Sequence, residues 1–196
     1  MANRDTPNGF QPVAMVDGSD VPVRRFPVDA DEASTLMIGD LVAAEADGNV
    51  NLAVANDGIV VLGAVTAIYD TNGVPAGHPN SAISTKYKPN STAALVDVAL
   101  ALPSALFKCQ SDTDTVIAEG VRFATANHVE GTGDTTTAVS RGELDSSDIA
   151  GGTGLQFRII DKVDEPNNNW GENHVDLLVS FNESMFSAAA ANTTIN

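Results

Sequence analysis

Apolar and polar residues alternate with a period of two over several short stretches of the chain. The two faces of residues 95–102 carry Val96, Val98, Leu100 and Leu102 on one side and Asp97, Ala99 and Ala101 on the other. Residues 175–181 repeat the pattern, with Val175, Leu177, Val179 and Phe181 opposite Asp176, Ser180 and the next polar residue, Asn182. This period is typical of a β-strand that has one face in a core and a wetter opposite face. We therefore predict a strand at each stretch.

A third stretch is apolar on both faces. Residues 59–68 read Ile-Val-Val-Leu-Gly-Ala-Val-Thr-Ala-Ile and are rich in β-branched side chains, which favours a strand buried in the centre of a sheet. The preceding residues 56–58 are Asn-Asp-Gly. An Asp-Gly pair accepts the positive φ angles of a tight hairpin turn, so we predict a hairpin here.

Shorter apolar runs, separated by Gly, Asn and Asp, complete the pattern. They predict further strands at residues 36–43, 50–54, 106–110, 121–124, 138–144 and 155–163. Helix signals are scarce; the best is at residues 183–191, where four alanines follow Asn182 as a helix cap. Many short strands of this kind predict a mainly-β fold, a single barrel or sandwich domain of antiparallel strands.

The first thirty residues differ from the rest because they are punctuated by proline. Pro7, Pro12, Pro22 and Pro27 fix their own φ angles and bias the preceding residues towards extended geometry. The stretch also carries apolar side chains: Phe10, Val13, Met15, Val16, Val21, Val23 and Phe26. We predict an extended N-terminal arm over residues 1–30, a β-rich domain over 31–182 and a tail over 183–196.

The apolar surface of this arm has two interpretations, which the sequence leaves open. Either the arm covers a neighbouring protein, or it is an ordinary first strand folded onto its own core. The first interpretation predicts that removal of residues 1–28 abolishes binding to the neighbour and leaves the domain folded.

Composition narrows the classes of partner. Of the 196 residues, 26 are acidic and 10 basic, which gives a net charge of −16. Such a chain repels phosphate backbones and anionic lipids, so we expect no nucleic-acid or membrane partner. Asp97 and Pro103 interrupt the longest apolar stretch, and the first residues lack the apolar core of a signal peptide. We expect a soluble protein.

Side chains that could perform chemistry are few. Cys109 is the only cysteine, which excludes an internal disulfide and a cysteine zinc cluster. Its apolar neighbours predict a buried small hydrophobe. The chain has no Gly-x-Ser-x-Gly motif, and we expect His78, His128 and His174 at the surface or in turns.

Two further patterns resemble ligand sites and lack an essential part. The acidic pairs at residues 29–32 and 112–114 lack the central glycine and distal glutamate of a calcium loop. The glycine-rich residues 151–154 lead into a predicted strand, and a phosphate cradle needs a helix there. The sequence therefore predicts no catalytic, cofactor-binding or metal site, and we expect a protein that is not an enzyme.

Candidate partner-binding residues lie mainly in the N-terminal arm. Arg4, Arg24 and Arg25 are three of the ten basic residues, and we hypothesise that they pair with carboxylates of a partner. The apolar candidates are Phe10, Val13, Phe26 and Trp170. The tryptophan lies in a polar loop, where its ring either fills a partner's pocket or packs beneath its own loop.

The opening sequence resembles a known group of phage proteins. Residues 1–13, Met-Ala-Asn-Arg-Asp-Thr-Pro-Asn-Gly-Phe-Gln-Pro-Val, are similar to the start of tailed-bacteriophage virion proteins that decorate, or cement, the capsid. The later landmarks of the resemblance are residues 60–68, 106–110, 142–145 and 175–183. Residues 72–92 have no counterpart in the group.

The resemblance implies a β-rich virion protein on the outer capsid surface, made in the cytoplasm of the bacterial host. It also implies a homotrimer that bridges and stabilises neighbouring copies of the major capsid protein. Two alternatives remain open. One is another phage structural component, a capsid or tail subunit, and the other is a β-fold carbohydrate-active enzyme whose carboxylates meet only in three dimensions.

Overall fold

A computed structural model describes residues 3–55, 60–149 and 155–187. Its strands are β1 (Gln11–Met15), β2 (Val23–Val28), β3 (Leu41–Ala44), β4 (Val50–Leu52), β5 (Val61–Tyr69), β6 (Ala94–Leu100), β7 (Ala105–Gln110), β8 (Thr125–Ala126), β9 (His128–Val129), β10 (Glu143–Leu144), β11 (Phe157–Lys162) and β12 (Asp176–Phe181). The predicted hairpin at 56–58, the glycine run at 151–154 and the alanines of the predicted tail helix lie outside the described residues.

Ten of these strands form two antiparallel sheets of five strands each. The strand order is β1-β7-β12-β11-β8 in the first sheet and β2-β6-β5-β3-β4 in the second, and β9 pairs separately with β10. Side chains from the facing surfaces of both sheets form one hydrophobic core. The predicted mainly-β fold is confirmed, and its form is a sandwich.

The core between the sheets combines large and small side chains. The first sheet contributes Phe107, Phe157 and Phe181. The ring centroid of Phe181 lies 4.9 Å from that of Phe107 and 4.8 Å from that of Phe157. The second sheet contributes Ala64 and Ala99, both completely buried. Because alanine is short, the second sheet can approach these rings closely.

Strand β5 is buried on both of its faces, as residues 59–68 predicted. Val61 and Ala64 face the first sheet, whereas Leu62 and Val65 belong to a second hydrophobic core on the opposite side. The segment after β5 covers this second core with Ile83 and other residues. The central-strand prediction is therefore confirmed.

The covering segment corresponds to residues 72–92, and a buried carboxylate organises its first half. Asp70 accepts hydrogen bonds from the backbone N–H groups of Asn72, Val74 and Ala82 at 2.8–2.9 Å. These donors lower the pKa of Asp70. The buried Lys88 fixes the second half by donating to the carbonyl oxygens of Glu32 and Ser34.

The period-two predictions agree with the structure on one strand and differ on the other. The apolar face of residues 175–181 is buried between the sheets, as expected. In β6, however, the face that we expected to be wetter carries Ala99, which is buried in the main core, while Leu100 on the opposite face is only half-buried. Small side chains here mark close sheet packing and not exposure to water.

Three predicted strands are wrong in whole or in part. Of residues 36–43, only those from Leu41 onwards belong to a strand. Residues 121–124 form no strand, because Val121 ends a short 3₁₀ helix, Glu119–Val121, and the strand begins only at Thr125. Of residues 138–144, Glu143–Leu144 alone form a strand, because the preceding residues turn through Ala138, which has a φ of 60°. Residues 183–187 form a turn and not the start of a helix. Among the described residues, no helix is long and apolar enough to cross a membrane.

The proline-rich N-terminal stretch is extended, as predicted, and forms one of the two outer strands of each sheet. Strand β1 pairs with β7, and β2 pairs with β6. Pro12 and Pro27 lie within these two strands, and edge strands tolerate proline because its missing N–H removes no ladder hydrogen bond when it faces outwards. Of the two interpretations that the sequence left open, the described residues of the stretch follow the second.

Candidate partner-binding surface

The segment from β1 to β2, residues 11–28, exposes several large apolar side chains to solvent. We call this segment the N-terminal edge. Val16 is 70% exposed, Val13 55% and Val23 41%. Val13 lies at a bulge in the pairing of β1 with β7, which turns its side chain out of the regular alternation. These valines contribute little to either core and are available to a partner.

The N-terminal edge also presents backbone hydrogen-bonding groups. Strands β1 and β2 are each the last strand of their sheet, and no other described strand forms a hydrogen-bonded pair with their outer sides, although β4 lies close to β2. An open strand edge can accept an additional strand from another protein, with the backbone providing affinity. Because one continuous segment forms both edges, the two docking sides belong to the same stretch of chain.

The predicted arginines fall into two groups. Arg25 forms two hydrogen bonds with the Asp97 carboxylate, at 2.7 and 2.9 Å, and stacks over the Tyr69 ring at 3.8 Å. The pKa of Asp97 is lowered mainly by this guanidinium. Arg4 and Arg24 are exposed and form no ion pair with any described carboxylate. Arg4 and Arg24 are therefore the arginines free to meet a partner.

The aromatic candidates are packed within the domain. Phe10 is 1% exposed and stacks on Phe157 with ring centroids 4.7 Å apart. Phe26 is half-buried against the second core, and Trp170 is partly buried against the main core. The Arg122 guanidinium lies 5.3 Å from the centre of the Trp170 ring. Phe10 and Phe26 thus anchor the N-terminal edge, and Trp170 packs beneath its own loop.

Sequence reasoning missed one exposed aromatic residue. Phe123 is 67% exposed and has a φ of 68°, a conformation that is unfavourable for a bulky side chain. Two hydrogen bonds hold it: its N–H donates to Ile159, and its carbonyl oxygen accepts from Arg158. No sequence pattern indicates a positive φ at phenylalanine. Residues 121–124 were therefore assigned to a strand, and the exposure of Phe123 was not predicted.

The predictions for reactive side chains had mixed outcomes. His78 is exposed, as expected. His128 is buried, contrary to expectation, because its ring forms hydrogen bonds with the Gln156 side chain and the Ala53 carbonyl. Burial lowers the pKa of His128. Cys109 is buried in the main core, which confirms its prediction, and burial raises the pKa of its thiol.

A cavity of about 80 Å³ lies beside Phe10, the residue that precedes β1. Its lining includes Phe10, Met37, Asp40, His128 and Ser140. The Asp40 carboxylate accepts a hydrogen bond of 2.7 Å from the backbone N–H of Met37. Burial nevertheless raises the pKa of Asp40 to about 6, because a charged carboxylate is poorly solvated there.

The shifted pKa of Asp40 makes stability depend on pH. Since its pKa rises from 3.8 to about 6 on folding, the folded state holds this proton more tightly. The resulting stabilisation is full below the unfolded pKa and is lost as pH rises through the folded pKa. We expect Asp40→Asn to gain about 2 kcal/mol relative to the wild type between about pH 4 and pH 7, measured by urea unfolding. Parallel pH profiles for the two proteins would contradict this prediction.

Comparison with known proteins identifies no relative of this chain. No protein-family model, curated protein or solved structure matches the chain.

Proposed function

We propose that the protein is a virion structural protein of the decoration, or cement, class. It binds the outer surface of a phage capsid and bridges neighbouring copies of the major capsid protein through its N-terminal edge. The observation that carries this proposal is the pair of open strand edges on one segment, together with the exposed Val13, Val16 and Val23. The resemblance of residues 1–13 to capsid-decorating proteins supports the choice of partner.

The two open edges suit a bridging role. Strand β1 belongs to the first sheet and β2 to the second, so each edge can engage a different shell subunit. A packaged genome pushes shell subunits apart, and a protein bound across their boundary adds contact area that separation has to expose. The main-chain groups of an edge supply hydrogen bonds, and the valines supply apolar area.

Charge complements these contacts. The chain carries a net charge of −16, while Arg4 and Arg24 project from the N-terminal segment without a described carboxylate partner. Hydrogen bonds between arginine and carboxylate are strong when water is excluded. These two residues therefore favour an acidic patch on the shell as the binding site.

The proposed assembly state is a homotrimer, as the resemblance implies. Three copies in one particle bind several shell subunits at once, and linked sites raise the overall affinity without new contacts. Light scattering measures the molar mass of the purified protein in solution and therefore the number of chains in the oligomer. If the purified protein is a monomer and still binds heads, the proposed trimer is wrong, and the N-terminal edge remains the proposed binding surface.

A charge placed in the proposed interface tests the binding surface. We expect Val16→Asp to weaken binding to empty phage heads at least tenfold, because a carboxylate buried in an apolar contact is poorly solvated. The measurement is cosedimentation of purified protein with heads assembled without it. Val116→Asp is the matched control, since Val116 is 54% exposed and lies outside the N-terminal edge.

Arg24→Glu tests the charge contribution in the same assay, with Arg141→Glu as its control. Full binding by both N-terminal variants would overturn the N-terminal edge as the binding surface. Binding of the wild type to phage tails and not to heads would favour another structural role in the virion.

A further inference from the structure

Three side chains that can bind a metal ion meet away from the valines of the N-terminal edge. A carboxylate oxygen from each of Asp5 and Glu143 and a ring nitrogen of His174 all lie within 4.8 Å of one another. The residues are distant in sequence and come from three segments: the N-terminal stretch, strand β10 and the residues just before β12. No spacing motif could reveal this cluster.

Hydrogen bonds of the Gln110 side chain position the N-terminal member of the cluster. Its amide nitrogen donates to the Arg4 carbonyl oxygen at 3.1 Å, and its amide oxygen accepts from the Thr6 N–H at 2.9 Å. These two bonds hold the backbone on both sides of Asp5. Asp5 is itself exposed, so the cluster is open to solvent on this side.

The cluster contains polar atoms that lack partners. Four buried side-chain polar atoms have no hydrogen-bond partner among the described residues, and they belong to Glu143, Trp170, Asn173 and His174. Two of the four are therefore on members of the cluster, Glu143 Oε1 and His174 Nδ1. Buried polar atoms are nearly always paired in native proteins, and one without a partner is destabilising. An ion bound by Glu143 and His174 can provide a partner for polar atoms of this kind.

Negative charge is concentrated in the cluster. The carboxylate oxygens that Asp5 and Glu143 bring to the cluster lie within 4.8 Å of each other, and Asp112 and Arg141 are further charged neighbours of Glu143. Carboxylates that repel one another in this way are stabilised by a positive ion placed between them.

We propose that Asp5, Glu143 and His174 form a binding site for a divalent transition-metal ion, with Zn²⁺ as the preferred ion. Zinc binds Asp, Glu and His at about 2.0–2.2 Å, and three protein ligands plus water complete its usual open site. Donors around one ion at these distances lie at most about 4 Å apart, so the side chains need to move by only a few tenths of an ångström to about 1 Å.

The donor set distinguishes this site from an adjacent acidic one. Asp112, Asp114 and Asp145 form a second cluster that contains only oxygen donors. Calcium prefers six to eight oxygen ligands, whereas an imidazole nitrogen favours zinc and other transition metals. Of these two clusters, the first contains the histidine and is therefore the one expected to bind the transition metal.

The ion would fasten the N-terminal stretch to the body of the domain. Asp5 lies on the chain segment that leads into β1, and the other two ligands lie on segments of the domain interior. Because the three ligands come together only in the folded chain, binding stabilises the folded state. We expect Zn²⁺ at a hundredfold excess over its dissociation constant to raise the Tm by about 5–11 °C.

Calorimetric titration of tag-free, metal-stripped protein with zinc chloride tests the site. We expect one Zn²⁺ per chain for the wild type and at least tenfold weaker binding for His174→Ala and Glu143→Gln. His78→Ala is the matched control for the histidine, because His78 is exposed in a distant loop. Asp5→Asn and its control Asp20→Asn exchange exposed carboxylates, and Asp20 belongs to none of the possible metal-ligand clusters among the described residues, so neither is expected to impair folding. Melting curves without metal verify the fold of every variant.

The outcomes separate the alternatives. Loss of binding in Asp5→Asn and His174→Ala, with full binding in both controls, supports the proposal. The proposal is overturned if the wild type takes up no Zn²⁺ at 100 µM or if His174→Ala binds like the wild type. It is also overturned if calcium chloride binds more tightly than zinc chloride and Asp114→Asn removes that binding, because the second cluster is then the site. Head binding is not measured here, so these results are independent of the proposed function.

Discussion

Replacement of Phe10 by alanine is expected to lower the free energy of unfolding by about 4 kcal/mol. The ring is 1% exposed, stacks on Phe157 and meets the His128 ring edge-on at 6.2 Å between centroids. Its loss leaves a cavity in the main core where the N-terminal stretch enters the sandwich. Urea unfolding followed by far-ultraviolet circular dichroism measures the change.

Val13→Ala is the control, because Val13 belongs to the same segment and is 55% exposed. We expect this variant to change stability by less than about 0.5 kcal/mol. The same reasoning predicts that deletion of residues 1–28 removes two strands and unfolds the domain, in contrast to the prediction for an independent arm. A truncated chain with an unchanged unfolding transition would contradict the packing described for Phe10.

The buried Lys88 is expected to produce the second-largest effect. Its ammonium group donates to the carbonyl oxygens of Glu32 and Ser34 at 3.0 Å each, and burial lowers its pKa. Lys88→Ala removes both hydrogen bonds and the aliphatic stem, so we expect a loss of about 3 kcal/mol. Thermal and urea unfolding at neutral pH measure this loss.

Two companion variants separate the causes. Lys88→Met retains most of the stem and removes the hydrogen bonds, and we expect about half of the alanine effect. Lys86→Ala exchanges an exposed lysine two residues away, with little expected change. Equal stability of Lys88→Ala and Lys86→Ala would show that the ammonium group is not needed to hold residues 72–92.

The sequence predicted the regular part of the fold because that part depends on side-chain alternation. The face of residues 175–181 and the two-sided burial of residues 59–68 follow directly from the period of apolar residues. The alanines of β6 were misassigned, because a small apolar residue fits both a wet face and a closely packed one. Only the presence of the second sheet decides between these environments.

The candidate sites were harder to predict, for reasons of geometry. Valines such as Val16 were recognised as an apolar excess, yet their exposure depends on which strands lie at the sheet edges. Phe10 was expected to face a partner and is buried, since apolar character alone does not distinguish a core from an interface. The cluster of Asp5, Glu143 and His174 joins three segments distant along the chain, and no local pattern encodes such a meeting.

Because Cys109 is buried, the reactivity of its thiol reports how often the folded chain opens locally. The thiol lies in β7, the strand that pairs with both β1 and β12, and it is 1% exposed. A thiol reagent reaches it only after the sandwich separates locally, so the labelling rate measures how often this happens. The same reaction, followed on free and capsid-bound protein, reads out the protection conferred by assembly without any engineered probe.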